Sequence, residues 1–256
     1  MARELARRSL PSGRVARIVM SEAADGDIAS GDAPVSGPGH LASAGRCPPS
    51  GLLGEAPRPW TTLHQVHGAA VAVVDEPGGA SGTPADAAVT DRLGAALSVR
   101  VADCAPVAFV GHSTVALAHA GWRGLMAGVL EASVDALSSL DVSPNLVGGQ
   151  EAQGPGVLSA VVGPHIRPCC YEFGVVDLSR LVDAFGAEVA ARTRDGRPAL
   201  NLAAVVSAVL ARRGVIATFD GACTSCDDSY WSFRATGTAC RQAMLAWMEP
   251  APESAR

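Results

Sequence analysis

Two histidines and a cysteine, carried by three separate motifs, are the first candidates for chemistry. Cys104 follows Asp103 at the start of a run that reads as strand, turn and strand, and His119 closes that run. A hairpin brings its two ends together, so we expect Cys104 and His119 to lie side by side at one end of a sheet. With His67 they form a Cys/His/His set, the donor type of catalytic zinc sites that keep one position open for water.

The segment Leu63–Gly68 contains a second histidine, His64, three positions before His67. In a strand these two side chains point to opposite faces, so one metal takes both only if the strand ends or bulges between them. We expect one of them to face the site. Taken alone, a histidine is more often structural than a ligand, and Cys104 alone is equally well read as a small buried apolar residue.

Arginines near two turns are candidates for binding an anion. Arg123 lies in the string Gly121–Gly124, where a strand end leads into a helix, and its guanidinium can clamp phosphate or carboxylate. The alternative is a tight turn with Arg123 in a structural salt bridge. Arg234 is either a second anion contact or a surface charge. Asp103 is a candidate base or a residue that orients a ligand.

The remaining chemistry-bearing residues are cysteines in two groups. Cys169 and Cys170 are adjacent and cannot readily form a relaxed disulfide with each other. They are either part of a chemically active segment or inert thiols in a buried turn. Cys223 and Cys226 form a CxxC, which suggests half a zinc knuckle or a redox pair. No second CxxC is present and the thioredoxin setting is missing, so we expect a structural turn there.

The elements that must position these residues follow from periodicity, which predicts an α/β protein of α+β type. We expect a single compact domain with mixed β-sheets flanked by helices. The expected strands are 60–66, 69–75, 95–101, 106–110, 114–118, 157–162 and 215–219, and the expected helices are 125–140, 177–191 and 202–213. Asn201 is the expected N-cap of the last helix and Gly214 its stop. Residues 243–248 fit a strand or a helix.

Composition sets the domain limits and excludes several chemistries. Residues 1–59 are expected to be an irregular segment partly packed on the core, residues 60–248 the catalytic domain, and residues 249–256 a tail. All 20 basic residues are Arg, so Schiff-base and Walker-type lysine chemistry are excluded. A net charge of −5 gives no general attraction for nucleic acid or an anionic membrane.

The expected setting is the cytoplasm. No apolar run of signal-peptide length follows the Arg-bearing start of the chain. The seven cysteines are an odd number, which favours reduced thiols over a disulfide framework.

Six strings in this order and spacing resemble the YfiH/YlmD family, also called the laccase-domain or multi-copper polyphenol oxidoreductase family. They are Gln65-Val66-His67-Gly68, Ala85-Asp86-Ala87 with Thr90, Ala102-Asp103-Cys104-Ala105-Pro106-Val107, Ala118-His119-Ala120-Gly121-Trp122-Arg123-Gly124, Gly163-Pro164 with Cys169-Cys170-Tyr171-Glu172, and Cys223-Thr224-Ser225-Cys226-Asp227. The resemblance covers about residues 60 to 248.

This resemblance implies a compact α/β protein in which His67, Cys104 and His119 hold zinc, leaving His64 as the spare histidine. It implies phosphorolysis of adenosine, inosine, guanosine or methylthioadenosine and deamination of adenosine, with a purine nucleoside and phosphate as ligands. We expect a monomer or homodimer. The expected catalytic residues are His67, Cys104, His119 and Asp103, and the expected substrate contacts are Gln65, Arg123, Arg234 and Cys170.

Two alternatives accompany that expectation. An older association of the family is copper-dependent oxidation of phenols, although a Cys/His/His set is of the zinc type. The chain also departs from the family at its start, where a strand usually ends in Thr-Thr-Arg before a Gly-Gly-Val-Ser turn. The corresponding stretch here, Ile18–Gly26, lacks the Arg and the paired glycines. A diverged metal-binding protein without catalysis is therefore the third reading.

Overall fold

The computed structural model describes residues 2–28, 55–141 and 159–251. Its strands are β1 (Arg3–Ser9), β2 (Val15–Met20), β3 (Trp60–Thr62), β4 (Val71–Val73), β5 (Ala87–Thr90), β6 (Ala96–Val101), β7 (Ala105–Val110), β8 (Val115–Ala120), β9 (Ser159–Val162), β10 (Ala190–Arg192), β11 (Pro198–Leu200), β12 (Ile216–Phe219) and β13 (Gln242–Glu249). Its α-helices are α1 (Trp122–Ala127), α2 (Val129–Leu140), α3 (Val175–Phe185), α4 (Leu202–Arg212) and α5 (Phe233–Thr236).

The first sheet has the strand order β1-β2-β13-β6-β3 and joins the two ends of the chain. β13 runs antiparallel to both β2 and β6, whereas β3 runs parallel to β6. The expectation of an irregular segment before residue 60 is therefore wrong for β1 and β2. The pairing partner that orders these two strands is β13, more than two hundred residues away in sequence, so local pattern does not reveal it.

The second sheet has the order β12-β9-β7-β8-β5-β4, and it mixes parallel and antiparallel pairs. Together with the first sheet and the flanking helices, this confirms the expected fold class. β10 and β11 form a separate two-stranded sheet.

The second sheet is covered on both faces, which its side-chain alternation makes possible. On β7, Val107 and Phe109 belong to an apolar cluster that includes Leu130 of α2 and Val209 of α4. The alternating residue Ala108 instead packs in a cluster that includes Met244 of β13, between the two sheets. The layers are therefore sheet, sheet and helices, with an apolar core on each side of the second sheet.

Several elements are shorter than expected or interrupted. The helix expected over 125–140 begins earlier, at Trp122, and is split by Gly128, which has a φ of 90°. The helix expected over 177–191 is α3, which ends at Phe185. The strand expected over 60–66 ends at Thr62. Asn201 caps α4 as expected, since its side chain accepts the amide of Ala204. Residues 243–248 lie in a strand.

Candidate metal centre

One edge of the second sheet collects most of the chemistry-bearing residues. Asp86 precedes β5, Cys104 precedes β7, and His119 lies near the end of β8, and the strand directions place all three at that edge. His67 lies in the loop that leads into β4, which enters the sheet beside β5 in the same direction. Strand direction, not closeness in sequence, therefore assembles the site.

His67, Cys104 and His119 form a compact ligand group. Their donor atoms all lie within 4.8 Å of one another, and the Cys104 Sγ is 3.9 Å from the His67 Nε2. The predicted hairpin geometry is confirmed, because Ala105 of β7 pairs with Ala120 of β8. His67 is exposed, Cys104 half-buried and His119 buried, so the group faces solvent on the His67 side. His64 is not part of the group.

The loop around His67 is held by Asp86, whose side chain is fully buried. The Asp86 carboxylate accepts backbone amides of Val66, His67 and Gly68 at 2.7–3.1 Å. This binding holds His67 at a φ of 59°, a left-handed conformation that is costly for a residue with a Cβ. The strand ends at Thr62, before both histidines, so the strand alternation expected for His64 and His67 does not apply to them.

Asp86 also orients the second imidazole. The Nδ1 of His119 lies 2.8 Å from the Asp86 carboxylate. A carboxylate in this position fixes the proton on Nδ1 and leaves Nε2 free to bind a metal, an arrangement common in metal sites. One buried carboxylate thus sets the geometry of two of the three candidate ligands.

Gly121 allows the three ligands to approach. A Cβ built on Gly121 would lie 2.9 Å from the Cys104 Sγ and 2.9 Å from the His67 Cδ2. Both distances are shorter than real Cβ contacts, so any side chain at residue 121 displaces a ligand. The glycine of the Ala-Gly-Trp string is therefore a steric requirement of this group, not a turn requirement.

The charges of the group favour the ligand form of the thiol. Burial raises the pKa of Cys104, but His119 and His67 outweigh this effect and lower the pKa to about 6. Burial alone would lower the pKa of His119, whereas Cys104 and Asp86 raise it to about 9. The pKa of Asp86 is lowered despite its burial, because His119 and backbone amides donate to it. A thiolate at neutral pH is the form that binds metal.

Aromatic and cationic side chains lie beside the group. Trp122 packs edge-on against Phe173, which packs edge-on against Tyr171. The guanidinium of Arg123 lies 4.5 Å from the Trp122 ring, and that of Arg234 lies 5.1 Å from the Tyr171 ring. Both arginines are exposed, so their charges are accessible to a ligand.

The charges of these arginines and of the ligand group both act on Tyr171. Burial raises the pKa of Tyr171, and the neighbouring Cys104 charge raises it further, whereas Arg234 and Arg123 oppose this. The net shift is upward, so Tyr171 keeps its proton at neutral pH. The same four groups therefore share one local environment at the sheet edge.

Three of the expected site residues have other partners in the structure. The Gln65 side chain donates from Nε2 to the Arg100 carbonyl and accepts the Arg100 amide at Oε1. These two bonds extend the β3–β6 pairing beyond Thr62. The Asp103 carboxylate accepts the hydroxyls of Thr224 and Ser232 and the Arg234 amide. Asp103 therefore positions the segment that bears Arg234.

The third of these residues, Cys170, lies among other thiols, with its Sγ 3.2 Å from that of Cys226. Sequence reasoning instead missed Asp86 and Tyr171 as site residues. Both stand in the quoted strings, but only the tertiary structure brings them to the ligand group. An aspartate just before a buried strand and opposite a histidine-bearing strand end is the signal that could have identified Asp86.

The donor set fits a metal ion. Two imidazoles and one thiolate are borderline and soft ligands, and three protein ligands leave a fourth position free. The charge balance, with a thiolate and a carboxylate-backed imidazole, also suits a divalent cation. The donors therefore fit a metal ion with one position left open, and they do not by themselves decide between zinc and copper.

Comparison with known proteins places the chain in a family. A family sequence model described as multi-copper polyphenol oxidoreductase laccase matches residues 50–249. The chain belongs to this family. The match covers all members of the His67, Cys104 and His119 group, and the expected YfiH/YlmD resemblance is confirmed.

Relatives in this family carry names tied to purine nucleosides. A purine nucleoside phosphorylase of Streptomyces coelicolor is 36% identical over 201 residues, covering 77% of this chain and 78% of that protein. The Escherichia coli protein YfiH, also named a purine nucleoside phosphorylase, is 33% identical over 202 residues, covering 76% of each.

Solved structures agree with the fold. YfiH of Bacillus licheniformis superposes with a TM-score of 0.60 at 25% identity, covering 74% of each chain. A Neisseria meningitidis protein superposes with a TM-score of 0.68 over 97% of this chain and 99% of its own, at 24% identity, and shows the fold alone.

Within the described residues, no helix is both long and apolar enough to cross a membrane.

Proposed function

We propose that this protein is a zinc-dependent purine nucleoside phosphorylase that converts a purine nucleoside and phosphate to free base and ribose 1-phosphate. The observation that carries the proposal is the His67, Cys104 and His119 group, with an open fourth position and two exposed arginines nearby. The names of relatives at 33–36% identity support the same substrate class.

Zinc fits the donors better than copper. A Cys/His/His group with a free position is the zinc type, whereas a multi-copper oxidase needs several copper centres. The other metal-type group among the described residues is all thiol. A bound zinc ion would supply Lewis acidity for substrate binding and for charge that develops in the reaction.

In phosphorolysis, a phosphate oxygen forms a bond to C1′ while the bond from C1′ to the purine nitrogen breaks. The electron pair leaves with the base, which takes up a proton. Phosphate must be held and oriented for this displacement, and a guanidinium is suited to that task. We assign phosphate contact to Arg123 first and Arg234 second. Tyr171, which stays protonated, offers a hydroxyl donor beside them.

Adenosine deamination is a second activity supported by the same group. This reaction replaces the C6 amino group with the oxygen of water and releases ammonia. A three-ligand centre with a free position is the donor arrangement found in hydrolytic zinc sites. The exposed side of the group at His67 gives water access.

Product analysis tests the proposal. The purified protein is incubated with adenosine, with and without phosphate, and products are separated by chromatography. We expect adenine and ribose 1-phosphate only when phosphate is present. Deamination gives inosine and ammonia in either case, and with phosphate the inosine is converted further to hypoxanthine and ribose 1-phosphate. A phenol oxidised with oxygen uptake while both nucleoside reactions are absent would instead assign a copper oxidase. No turnover of either substrate would assign a metal-binding protein.

A further inference from the structure

Four of the cysteines outside the candidate metal centre lie in one cluster. The Sγ atoms of Cys169, Cys170, Cys223 and Cys226 all lie within 4.8 Å of one another, and all four are free thiols. From these positions we propose that the cluster is a second, structural metal site that binds one zinc ion through four thiolates. This site shares no ligand with the proposed catalytic group and does not depend on the proposed activity.

Sheet topology explains why these cysteines meet. β9 and β12 are parallel neighbours, so the chain leaves both strands at the same edge of the sheet. The pairing continues past the strand ends. His165 and Cys223 form a parallel β-bridge, and the Thr224 amide donates to the backbone carbonyl of His165. The turn bearing Cys169 and Cys170 therefore lies against the turn bearing the CxxC. The vicinal pair supplies the second half that the CxxC lacks in sequence.

The spacing of the sulfurs suits one tetrahedral ion. Four thiolates about 2.3 Å from zinc are separated from one another by about 3.8 Å. The Cys169 Sγ lies 3.7 Å from that of Cys223 and 3.6 Å from that of Cys226. The Cys170 and Cys226 sulfurs, 3.2 Å apart, would open slightly around the ion. All four positions are filled by protein, which is the mark of a structural site.

The surroundings supply donors and positive charge to thiolates. The amide of Arg167 donates to the Cys223 Sγ at 3.3 Å, and the Arg194 guanidinium donates to the Cys226 Sγ at 3.2 Å. The CxxC is folded as a turn, since the Cys226 amide donates to the Cys223 carbonyl. A zinc tetrathiolate carries a net charge of minus two, which the Arg194 guanidinium partly offsets.

The ion would join two segments that border the catalytic group. Tyr171 directly follows Cys170, and Thr224, which follows Cys223, donates to Asp103 beside Cys104. Arg234 donates to the Glu172 carbonyl and so already bridges the same two segments. Binding of zinc by the four cysteines would fix the position of Tyr171 and Arg234 relative to the candidate metal centre.

Metal counting tests the proposal. The full chain is purified under reducing conditions without chelator or added metal, and zinc per chain is measured by mass spectrometry. We expect Cys223→Ser/Cys226→Ser to hold one zinc equivalent less than the unchanged chain. The control His67→Ala/His119→Ala removes two ligands of the other group and should keep the tetrathiolate zinc. Since the readout is a difference of one equivalent, it is independent of whether the catalytic group also holds zinc.

A second measurement covers a cysteine variant that fails to fold. The His67→Ala/His119→Ala protein is loaded with cobalt, and its absorption is recorded. Intense thiolate-to-cobalt charge transfer and d–d bands of a tetrahedral thiolate site are expected, and their loss in the variant that also carries Cys170→Ser supports the assignment. Equal zinc in the unchanged and cysteine-variant chains, iron in place of zinc, or a Cys170–Cys226 disulfide without metal would overturn it.

Discussion

Two groups of potential metal ligands lie at the same edge of the second sheet. They differ in donor type, in ligand number and in whether a coordination position is left open, the properties that distinguish catalytic from structural metal sites. The His67, Cys104 and His119 group has mixed donors and three ligands. The Cys169, Cys170, Cys223 and Cys226 group, called here the thiol cluster, has one donor type and four ligands. The first leaves a position for a substrate or water, and the second leaves none.

Their supports differ as well. The three-ligand group depends on a buried carboxylate and on the missing side chain of Gly121, so its geometry is set tightly before any ion binds. The thiol cluster is supported by two turns that follow neighbouring strands and by the exposed Arg194, which donates to Cys226. In the proposed division of roles, rigid packing is reserved for the ligands that would act on substrate.

The largest expected effect comes from removing one ligand of the three-ligand group. His67→Ala should lower phosphorolysis by more than about 100-fold, since loss of a ligand exceeds the loss typical of a supporting residue. The matched control is His64→Ala, an exposed histidine three residues away that is not in the group. Steady-state rates with inosine and phosphate measure both. Equal rates for the two variants would remove His67 from the site.

Gly121→Ala tests whether close approach is essential. The new Cβ would meet the Cys104 Sγ and the His67 Cδ2 at 2.9 Å and displace at least one of them. Displacement of a reacting group by about 1 Å costs roughly 100-fold in rate. Gly174→Ala, at an exposed glycine with a φ of −65° and nothing within 4 Å of the added Cβ, is a control for a glycine change alone.

Because Gly121 contacts the three-ligand group, Gly121→Ala should lower activity while the thiol cluster keeps its zinc. Unchanged activity in that variant, with its fold intact by circular dichroism, would contradict the steric role assigned to Gly121.

Asp86→Asn tests the carboxylate that supports two ligands. We expect a loss of about 10- to 100-fold in activity or metal affinity, because the amide cannot favour the same His119 tautomer or accept the same backbone amides. Asp75→Asn, an exposed carboxylate on the same β4–β5 side, should have no effect. Metal titration and rates are measured together. An Asp86→Asn protein with normal affinity and rate would show that His119 needs no orientation.

The smallest effect is expected at the anion contact. Arg123→Ala should raise the KM for phosphate about 10-fold, because a charged hydrogen bond at an exposed site contributes about 1.5 kcal/mol, the lower end of the usual range. Zinc content should stay unchanged in both groups. Arg8→Ala, an exposed arginine on β1 of the other sheet, is the control. A rise in the KM for nucleoside alone would reassign Arg123 to the sugar or base.

Local patterns in the sequence predicted the parts of the site that depend on short-range pairing. The hairpin from Ala105 to Ala120 follows from two apolar runs around a turn, and it delivers Cys104 and His119 together. Asn201 and the end of α4 follow from capping rules. These features need only neighbours in sequence to be specified.

The parts that escaped prediction depend on partners far along the chain. β1 and β2 look irregular until β13 pairs with β2, and Asp86 looks ordinary until the His67 loop and β8 surround it. The thiol cluster escaped because its second pair is vicinal, so no repeated CxxC marks it. Cys240 is disulfide-bonded, so the expectation of reduced thiols is wrong at that residue.

Quantification of ribose 1-phosphate tests directly whether the protein performs phosphorolysis and whether Cys104 is needed for it. The unchanged protein and Cys104→Ala are given inosine and isotopically labelled phosphate, and labelled ribose 1-phosphate and hypoxanthine are measured by mass spectrometry. We expect equal amounts of both products from the unchanged protein and neither from Cys104→Ala, which should still retain the zinc of the thiol cluster. Hypoxanthine without labelled ribose 1-phosphate, or full product formation by Cys104→Ala, would contradict it.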